Sequence, residues 1–363
     1  MQRGWAAEPL VSIIMPCYGV AAELPAAIAD VRAQTHGNWE LICVDDGSPD
    51  DLARVVRDAA ATDARIRLIS HEGNRGLAAA RNTGLAAAAG ELVWMPDPDD
   101  RFETDLLECA VAALADPACD LVVFGCREEY LGADGAVGFV RELVPARTAA
   151  LTGEELRHEA LALEEATLLG YAWNKVYRRS ALIGLAFEDV PLIEDILFNL
   201  RVFDRARGGW LIARPLYRYM KRAGGNLTGR FVPEYYEVHR RRVAALLDSL
   251  QHWGEDDPDA RARLGGRLVR YALSALERNC DPRAGMSGTD RRAFCAALMR
   301  DPLFRSLVLE AAPRGAGALG RAGAALLCTR SALAYRAAGR LLHLLRRWGG
   351  GGYTLVKRGS EAS

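Results

Sequence analysis

The chain has 363 residues, half of them hydrophobic and 26% charged, with a formal net charge of −1. That length exceeds one minimal domain and sustains a large core plus an appendage, while the near-neutral balance excludes a polyanion binder and so a nucleic-acid partner. Eight cysteines contain no Cys-x-x-Cys pair and sit mostly in apolar runs, which excludes a disulfide scaffold or zinc site and points to buried thiols in a reducing compartment.

In chain order, Val11–Met15 (VSIIM) reads as a central parallel strand covered on both faces, broken by Pro16, Tyr18 and Gly19. Residues 23–34 have the apolar spacing of a helix. Trp39–Val44 (WELICV) is a second strand, ending in Asp45, Asp46, Gly47, Ser48, Pro49 and Asp50, before a helix over 51–61. Ser48 and Asp50 are placed to cap that helix. Ile66–Ser70 is the third strand, followed by the polar turn 72–76 and an alanine-rich helix reaching about Ala89. The fourth strand lies in GELVWMPDPDDRF, 90–102, and ends at about Met95 because proline cannot donate to a sheet ladder. A helix over 104–115 and the strand Leu121–Gly125 follow. Residues 127–160 carry no recognisable chemistry. Then come YAWNKVYRRS (171–180), PLIEDILFNLRVF (191–203) and the strand-like WLIARPLYRYM, running into the basic, glycine-rich KRAGGNLTGR (221–230). Beyond Phe231 the chain reads as mostly helical, with linkers near 251–258 and 281–289.

Strands alternating with helices at this spacing predict an α/β fold, doubly wound around a mostly parallel sheet. Ligands of such sheets bind outside the carboxyl ends of the strands, and every acidic or glycine-rich turn so far falls on that one rim. Asp97, Asp99 and Asp100 repel one another there unless something positive lies between them. Hard oxygen ligands suit Mg²⁺ or Mn²⁺ with phosphate oxygens; the plainer alternative is a solvated turn with Asp99 or Asp100 capping the next helix. At the other end, no acidic residue occurs from Ala311 to Ser360, while nine arginines and lysines between 314 and 358 alternate with leucines and Trp348. Such a helix either lies on an anionic membrane surface or packs on the protein with solvated arginines. MQRGWAAEPL lacks the apolar core of a signal peptide, and no stretch approaches the roughly 18–20 apolar residues of a membrane span. A cytoplasmic protein, touching the inner face of the plasma membrane through 314–358, is the expectation.

Seven pieces, VSIIMPCY, ELICVDDGSPDD, NRGLAAARNTGL, GELVWMPDPDD, WNKVYRR, IEDILFN and PLYRYMKRAGGNLT, fall in the order and approximate spacing of one family. Over about residues 10–235 the sequence resembles family 2 glycosyltransferases of the GT-A fold, and its second half looks most like bacterial members that build capsular, teichoic-acid or other envelope polymers. The resemblance implies a GT-A domain over 1–232, with a nucleotide-binding half (10–126) and an acceptor and base half (127–232), and an appended α-helical region over 233–363. It implies metal-dependent inverting transfer of a sugar from a nucleotide sugar, UDP by family habit, to a glycan or lipid-linked acceptor.

The roles it implies are specific. Tyr18 stacks on the donor's base beside Pro16, Asp46 accepts a hydrogen bond from that base, and Asp45 shapes the pocket. Arg81 faces the nucleotide, where a helix N-terminus and an arginine both favour an anion, and Asn74 and Gly76 are turn residues first and donor contacts second. Asp97 and Asp99 form the family's Asp-x-Asp, Asp99 holding the Mn²⁺ or Mg²⁺ and Asp97 the ribose or metal shell; Asp100 caps a helix. Asp195, with Glu194 beside it, is the catalytic base at the start of the helix 196–203. Trp173, Asn174 and Lys175 line the sugar or acceptor pocket, with the core as the equal alternative for Trp173, and Lys221 and Arg222 belong to a basic loop over the diphosphate, the plainer alternative being an exposed basic hairpin. Two rivals differ in sequence: a sugar-1-phosphate nucleotidyltransferase needs a glycine-rich loop after the first strand, where PCYGVAAE stands, and a non-catalytic scaffold has no need of both acidic sets.

Overall fold

The structure, a computed structural model, describes residues 5, 7–132, 134–190, 192–222, 231–232, 234–311, 313–314 and 317–348. The chain divides into two compact units, Met1–Gly229 and Arg230–Ser363.

The first unit is built on one ten-stranded sheet. Its strands are β1 (Val11–Cys17), β2 (Trp39–Asp45), β3 (Ile66–Ser70), β4 (Leu92–Trp94), β5 (Arg101–Phe102), β6 (Leu121–Leu131), β7 (Val137–Leu143), β8 (Ala149–Thr152), β9 (Lys175–Arg178) and β10 (Gly208–Lys221). They lie in the order β3-β2-β1-β4-β9-β6-β10-β5, with β7 paired to β6 and β8 to β10. The apolar runs explain the first half: every residue of β1 is buried, and β1 pairs in parallel with both β2 and β4, as β2 does with β3. Helices α1 (Leu24–Arg32), α2 (Leu52–Thr62) and α3 (Leu77–Ala87) make the crossovers. The α/β expectation holds. The sheet is nevertheless mixed, because β9 runs antiparallel between β4 and β6. β1 also continues through Pro16; β4 stops pairing at Ile13, so Pro16 lies past the ladder on that side and its missing N–H costs nothing there.

Helix α3 approaches β1 closely. A Cβ built on Gly84 would stand 2.1 Å from Ile14 Cγ2, which only a glycine avoids. Ser48 and Asp50 do not cap α2, contrary to expectation: they accept from the amides of Gly19 (3.2 Å) and Ala21 (2.9 Å), fastening the turn after β1. The unit is completed by α4 (Leu106–Ala113), α5 (Gly153–His158), α6 (Ala160–Glu165) and α7 (Glu194–Arg205).

The second unit is helical: α8 (Tyr235–Trp253), α9 (Pro258–Arg278), α10 (Gly288–Arg300), the short α11 (Pro302–Phe304), α12 (Gly317–Cys328) and α13 (Ala332–Trp348). Asp257 caps α9 by accepting from Ala260 N, and Ser287 with Asp290 forms a capping box on α10. The core of this unit is α9, on which α8, α12 and α13 pack. Its buried Glu277 accepts from Arg346 at 2.8 Å and lies 3.1 Å from His343 Nδ1, which orients α13. Among the described residues no helix is long and apolar enough to cross a membrane.

Candidate active site

The carboxyl ends of β2 and β3 are tied together by one side chain. Asp46, 4% exposed, lies 2.6 Å from His71 Nδ1 through Oδ1, which also accepts from Arg75 N at 2.9 Å; Oδ2 accepts from Gly76 N at 2.8 Å. Gly76 stands at φ +90°, a conformation costly for any residue with a Cβ, and α3 begins immediately after it. Asp46 therefore fixes where α3 starts; Oδ1 serves two donors and Oδ2 one, which leaves Oδ2 a lone pair for a further donor. Asp45, also buried, accepts from Ser48 N and closes the same turn. Tyr18, just beyond β1, presents a half-exposed ring, Pro16 is buried within β1, and Asn74 is exposed in the turn before α3.

One turn into α3, Arg81 is 1% exposed, an unusual place for a guanidinium, and its surroundings explain it. Its two terminal nitrogens bond Asp195 at the start of α7 and Asp97 after β4 (3.3 Å), with Glu194 4.0 Å away. Asp195 Oδ2 also accepts from Ala172 N at 3.0 Å. Three carboxylates from two remote chain segments thus share one buried cation. Burial pushes the Asp97 carboxyl up to about 7, with the charges of Asp99 and Asp195 adding to the rise and Arg81 opposing it. Burial raises Glu194 to about 7 as well, helped by Asp195, and its Oε2 is buried without a hydrogen-bond partner.

The Asp-x-Asp-Asp run divides its labour. Asp99, about a third exposed, lies 3.3 Å from Arg222 Nη1, and burial raises its carboxyl against that arginine's pull. Asp100 does not cap a helix, because α4 starts only at Leu106. It is 1% exposed and accepts from Tyr217 Oη (2.7 Å) and Met220 N (2.8 Å), pinning β10 beneath the run. The Tyr217 oxygen in turn accepts from Asp97 N at 3.1 Å. Lys221 pairs with Glu128 at 2.5 Å rather than standing alone. The rest of the glycine-rich segment, 223–230, lies outside the described residues.

In the WNK segment Trp173 takes the core alternative, and Asn174 and Lys175 are buried with it. Trp173, 2% exposed, stacks between Tyr171 and Tyr217 with centroids 4.7 and 4.4 Å away. Asn174 and Lys175 are 0% exposed. Lys175 Nζ donates to Leu168 O, Tyr171 O and Asn174 Oδ1 at 2.7–2.8 Å. Burial pushes its ammonium down to about 7 against the opposing charges of Asp195 and Glu164. Three acceptors matched by three N–H bonds make this lysine an internal tie for the 168–174 loop, with no donor left for a sugar or phosphate. Lys175→Met should therefore destabilise the fold by about 1–3 kcal/mol, since Asn174 Oδ1 loses its donor while Leu168 O and Tyr171 O keep those of Asn174 and Asn199. Urea denaturation reads this; a donor affinity that falls while stability holds would restore the ligand role.

Several residues the sequence reading passed over shape the site. Besides His71 and Tyr217, Asn82 exchanges two hydrogen bonds with the Phe187 backbone, and Asn199 accepts from Tyr177 Oη while donating to Leu169 O and Tyr171 O. The visible signal was position: His71 directly follows a strand, and Asn82 and Arg81 interrupt an alanine run. For a cation, the chemistry of Asp97 and Asp99 fits. Both offer hard carboxylate oxygens, and among the described residues no third His, Cys, Asp or Glu closes a cage around them. Mg²⁺ is commonly held by one or two carboxylates with phosphate and water completing the shell.

Residues 12–182 match the model of the glycosyl transferase family 2. An uncharacterized glycosyltransferase of Bacillus subtilis, EpsJ, is 31% identical over 249 residues, 68% of this chain and 71% of EpsJ. An Escherichia coli relative, UDP-Glc:alpha-D-GlcNAc-diphosphoundecaprenol beta-1,3-glucosyltransferase WfgD, is 39% identical over 105 residues, 29% of this chain and 41% of WfgD. In fold, the chain is similar to S. aureus TarS 1–349 crystallised with UDP-GlcNAc: TM-score 0.61, 20% identity, 93% of this chain and 92% of that one. With a shared sheet and helical region, and with EpsJ aligned across two thirds of both chains, the protein belongs to glycosyl transferase family 2 and is a glycosyltransferase.

Proposed function

We propose that the protein moves a sugar from a nucleotide sugar, a UDP-sugar, to a hydroxyl of a cell-envelope glycan or lipid-linked acceptor, with inversion and with Mn²⁺ or Mg²⁺. The observation that carries this reading is the buried Arg81, which joins Asp97 after β4 to Asp195 at the head of α7. Donor-side and acceptor-side carboxylates are thereby held in one rigid set. WfgD, whose name gives a UDP-Glc donor and a diphosphoundecaprenol acceptor, and TarS, crystallised with UDP-GlcNAc, support the donor and acceptor classes.

In this reading Asp99 and Asp97 hold the divalent cation. When bound, such an ion neutralises the charge that gathers on a departing diphosphate. Arg222, beside Asp99, is placed to add to that field through its planar fork. Asp195 takes the acceptor hydroxyl's proton. Each of its oxygens keeps a lone pair beyond the bond from Arg81 or Ala172, and direct displacement requires a base on the face opposite the leaving group. Arg81 orients that base. Glu194, raised to about 7 by burial, stays partly protonated at neutral pH and so limits the negative charge packed around Arg81. Tyr18 offers its half-exposed ring to the base of the donor.

The test is slow donor hydrolysis without acceptor. UDP-glucose and UDP-N-acetylglucosamine should each be assayed for UDP release with Mn²⁺ and after chelation. Release is expected with metal, to fall by about a hundredfold or more without it, and to fall likewise in Asp99→Asn. Near-normal release by Asp99→Asn would reject the metal assignment.

Contact with an anionic membrane belongs to the same proposal. On α13 the buried Tyr335 faces the core, while Leu333, Leu341, Leu344 and Leu345 are each at least half exposed, with Arg330 and Arg340 exposed beside them. Leu341→Glu with Leu345→Glu should cut co-sedimentation with phosphatidylglycerol vesicles about tenfold, each charge replacing a buried leucine in the interface. Unchanged partitioning would leave α13 as a packed helix only.

A further inference from the structure

The helical unit contains a cleft that the transfer chemistry does not use. It lies among α8, the end of α9 and α10, and its volume of about 430 Å³ falls within the range of small-molecule sites. Asn279, the C-cap of α9, lines it; the residue is 9% exposed, yet its Nδ2 is buried without a hydrogen-bond partner. Leaving such a donor unpaired is unfavourable, so a ligand that offers an acceptor there recovers the lost bond.

The remaining walls say what kind of ligand. Tyr236 Oη and Arg240 Nε both donate to Asp301 Oδ2 at 2.9 Å, which fixes the wall and leaves the tyrosine oxygen able to accept. Half-buried Phe294 meets Tyr236 edge-on, with centroids 5.9 Å apart, and supplies an apolar face. Glu234 and Glu237 add exposed acceptors. Three carboxylates against Arg240 oppose an anion, so neither phosphate nor nucleotide fits. A neutral polyhydroxylated ring does. Its hydroxyls accept from the Asn279 amide and donate to the carboxylates, and its C–H face covers Phe294.

We propose that this cleft binds a neutral sugar unit of a glycan. The choice of a glycan rests on the transfer reading above; the cleft and its unpaired amide do not.

Full-length protein should be titrated with glucose, N-acetylglucosamine and cellobiose by saturation-transfer NMR, in wild type, Asn279→Ala, Phe294→Leu and Asp195→Asn. At least one sugar is expected to bind wild type and Asp195→Asn equally. Binding should weaken roughly fivefold to tenfold in Asn279→Ala and in Phe294→Leu, the worth of one hydrogen bond or one ring contact. If one of these two variants fails to fold, the other decides. No binding to folded wild type overturns the proposal, as does binding that survives Asn279→Ala and Phe294→Leu or is lost in Asp195→Asn. UDP release from the nucleotide sugars is measured on the same samples. Sugar binding without any such release would fault the transfer reading and leave the cleft standing.

Discussion

Arg81→Met should lower the unfolding free energy by about 3–5 kcal/mol, the range seen when one partner of a buried ion pair is removed. Methionine fills much of the volume but leaves Asp97, Asp195 and Glu194 facing one another with no cation. The loss should depend on pH in a definite direction. Glu194 already has a folded-state value near 7, above the ordinary 4.5. A carboxyl raised on folding contributes stability that is full below its unfolded value and is lost as pH rises through the folded one. Without the opposing guanidinium the rise is larger, so the deficit of Arg81→Met should be greater at pH 8 than at pH 5. Urea denaturation at both pH values measures it. A deficit under 1 kcal/mol, or one indifferent to pH, would mean that Arg81 does not organise the cluster. Transfer should be lost with it, because Asp195 is then held by Ala172 N alone.

Asp195→Asn should reduce kcat by roughly 10²–10⁴-fold, the usual worth of a positioned general base, with donor affinity changed less than about threefold. The substitution keeps the shape, and the amide oxygen still accepts from Ala172 N. Its NH₂ then faces the Arg81 guanidinium, so a modest loss of stability accompanies the loss of rate. The separation of kcat from donor binding is what distinguishes proton removal from scaffolding. If donor affinity collapses in step with kcat, Asp195 is a positioning residue for the nucleotide side and the base lies elsewhere.

The sheet's first half could be read from the chain because its strands are buried on both faces and end in acidic or glycine-rich turns, which leaves few alternatives. Ile66–Ser70 is found at its predicted bounds. Residues 127–160 could not be read. There β6 runs on to Leu131, and β7 is mostly exposed, so no continuous apolar run announces it. At the site, residue type pointed to Asp97, Asp99, Glu194 and Asp195 but not to which atoms they spend on one another. Lys175 shows the limit most clearly: spacing cannot tell a lysine that reaches a ligand from one that holds a loop. Arg81 was expected to face the nucleotide as one cation among others; its burial between two remote segments is a property of tertiary packing that no local pattern carries.

The close approach of α3 to β1 has a consequence for how the enzyme can change. Gly84 and Arg81 are three residues apart, on neighbouring faces of one helix, so the void that admits Ile14 also sets the height at which the guanidinium stands. A single methyl added at Gly84 would lift the helix off the sheet and draw the positive charge away from Asp97 and Asp195 together. Hydrocarbon fit at one point of α3 is thus the ruler for charge placement a turn away, and a lineage altering its core at Ile14 would meet the result first as lost turnover.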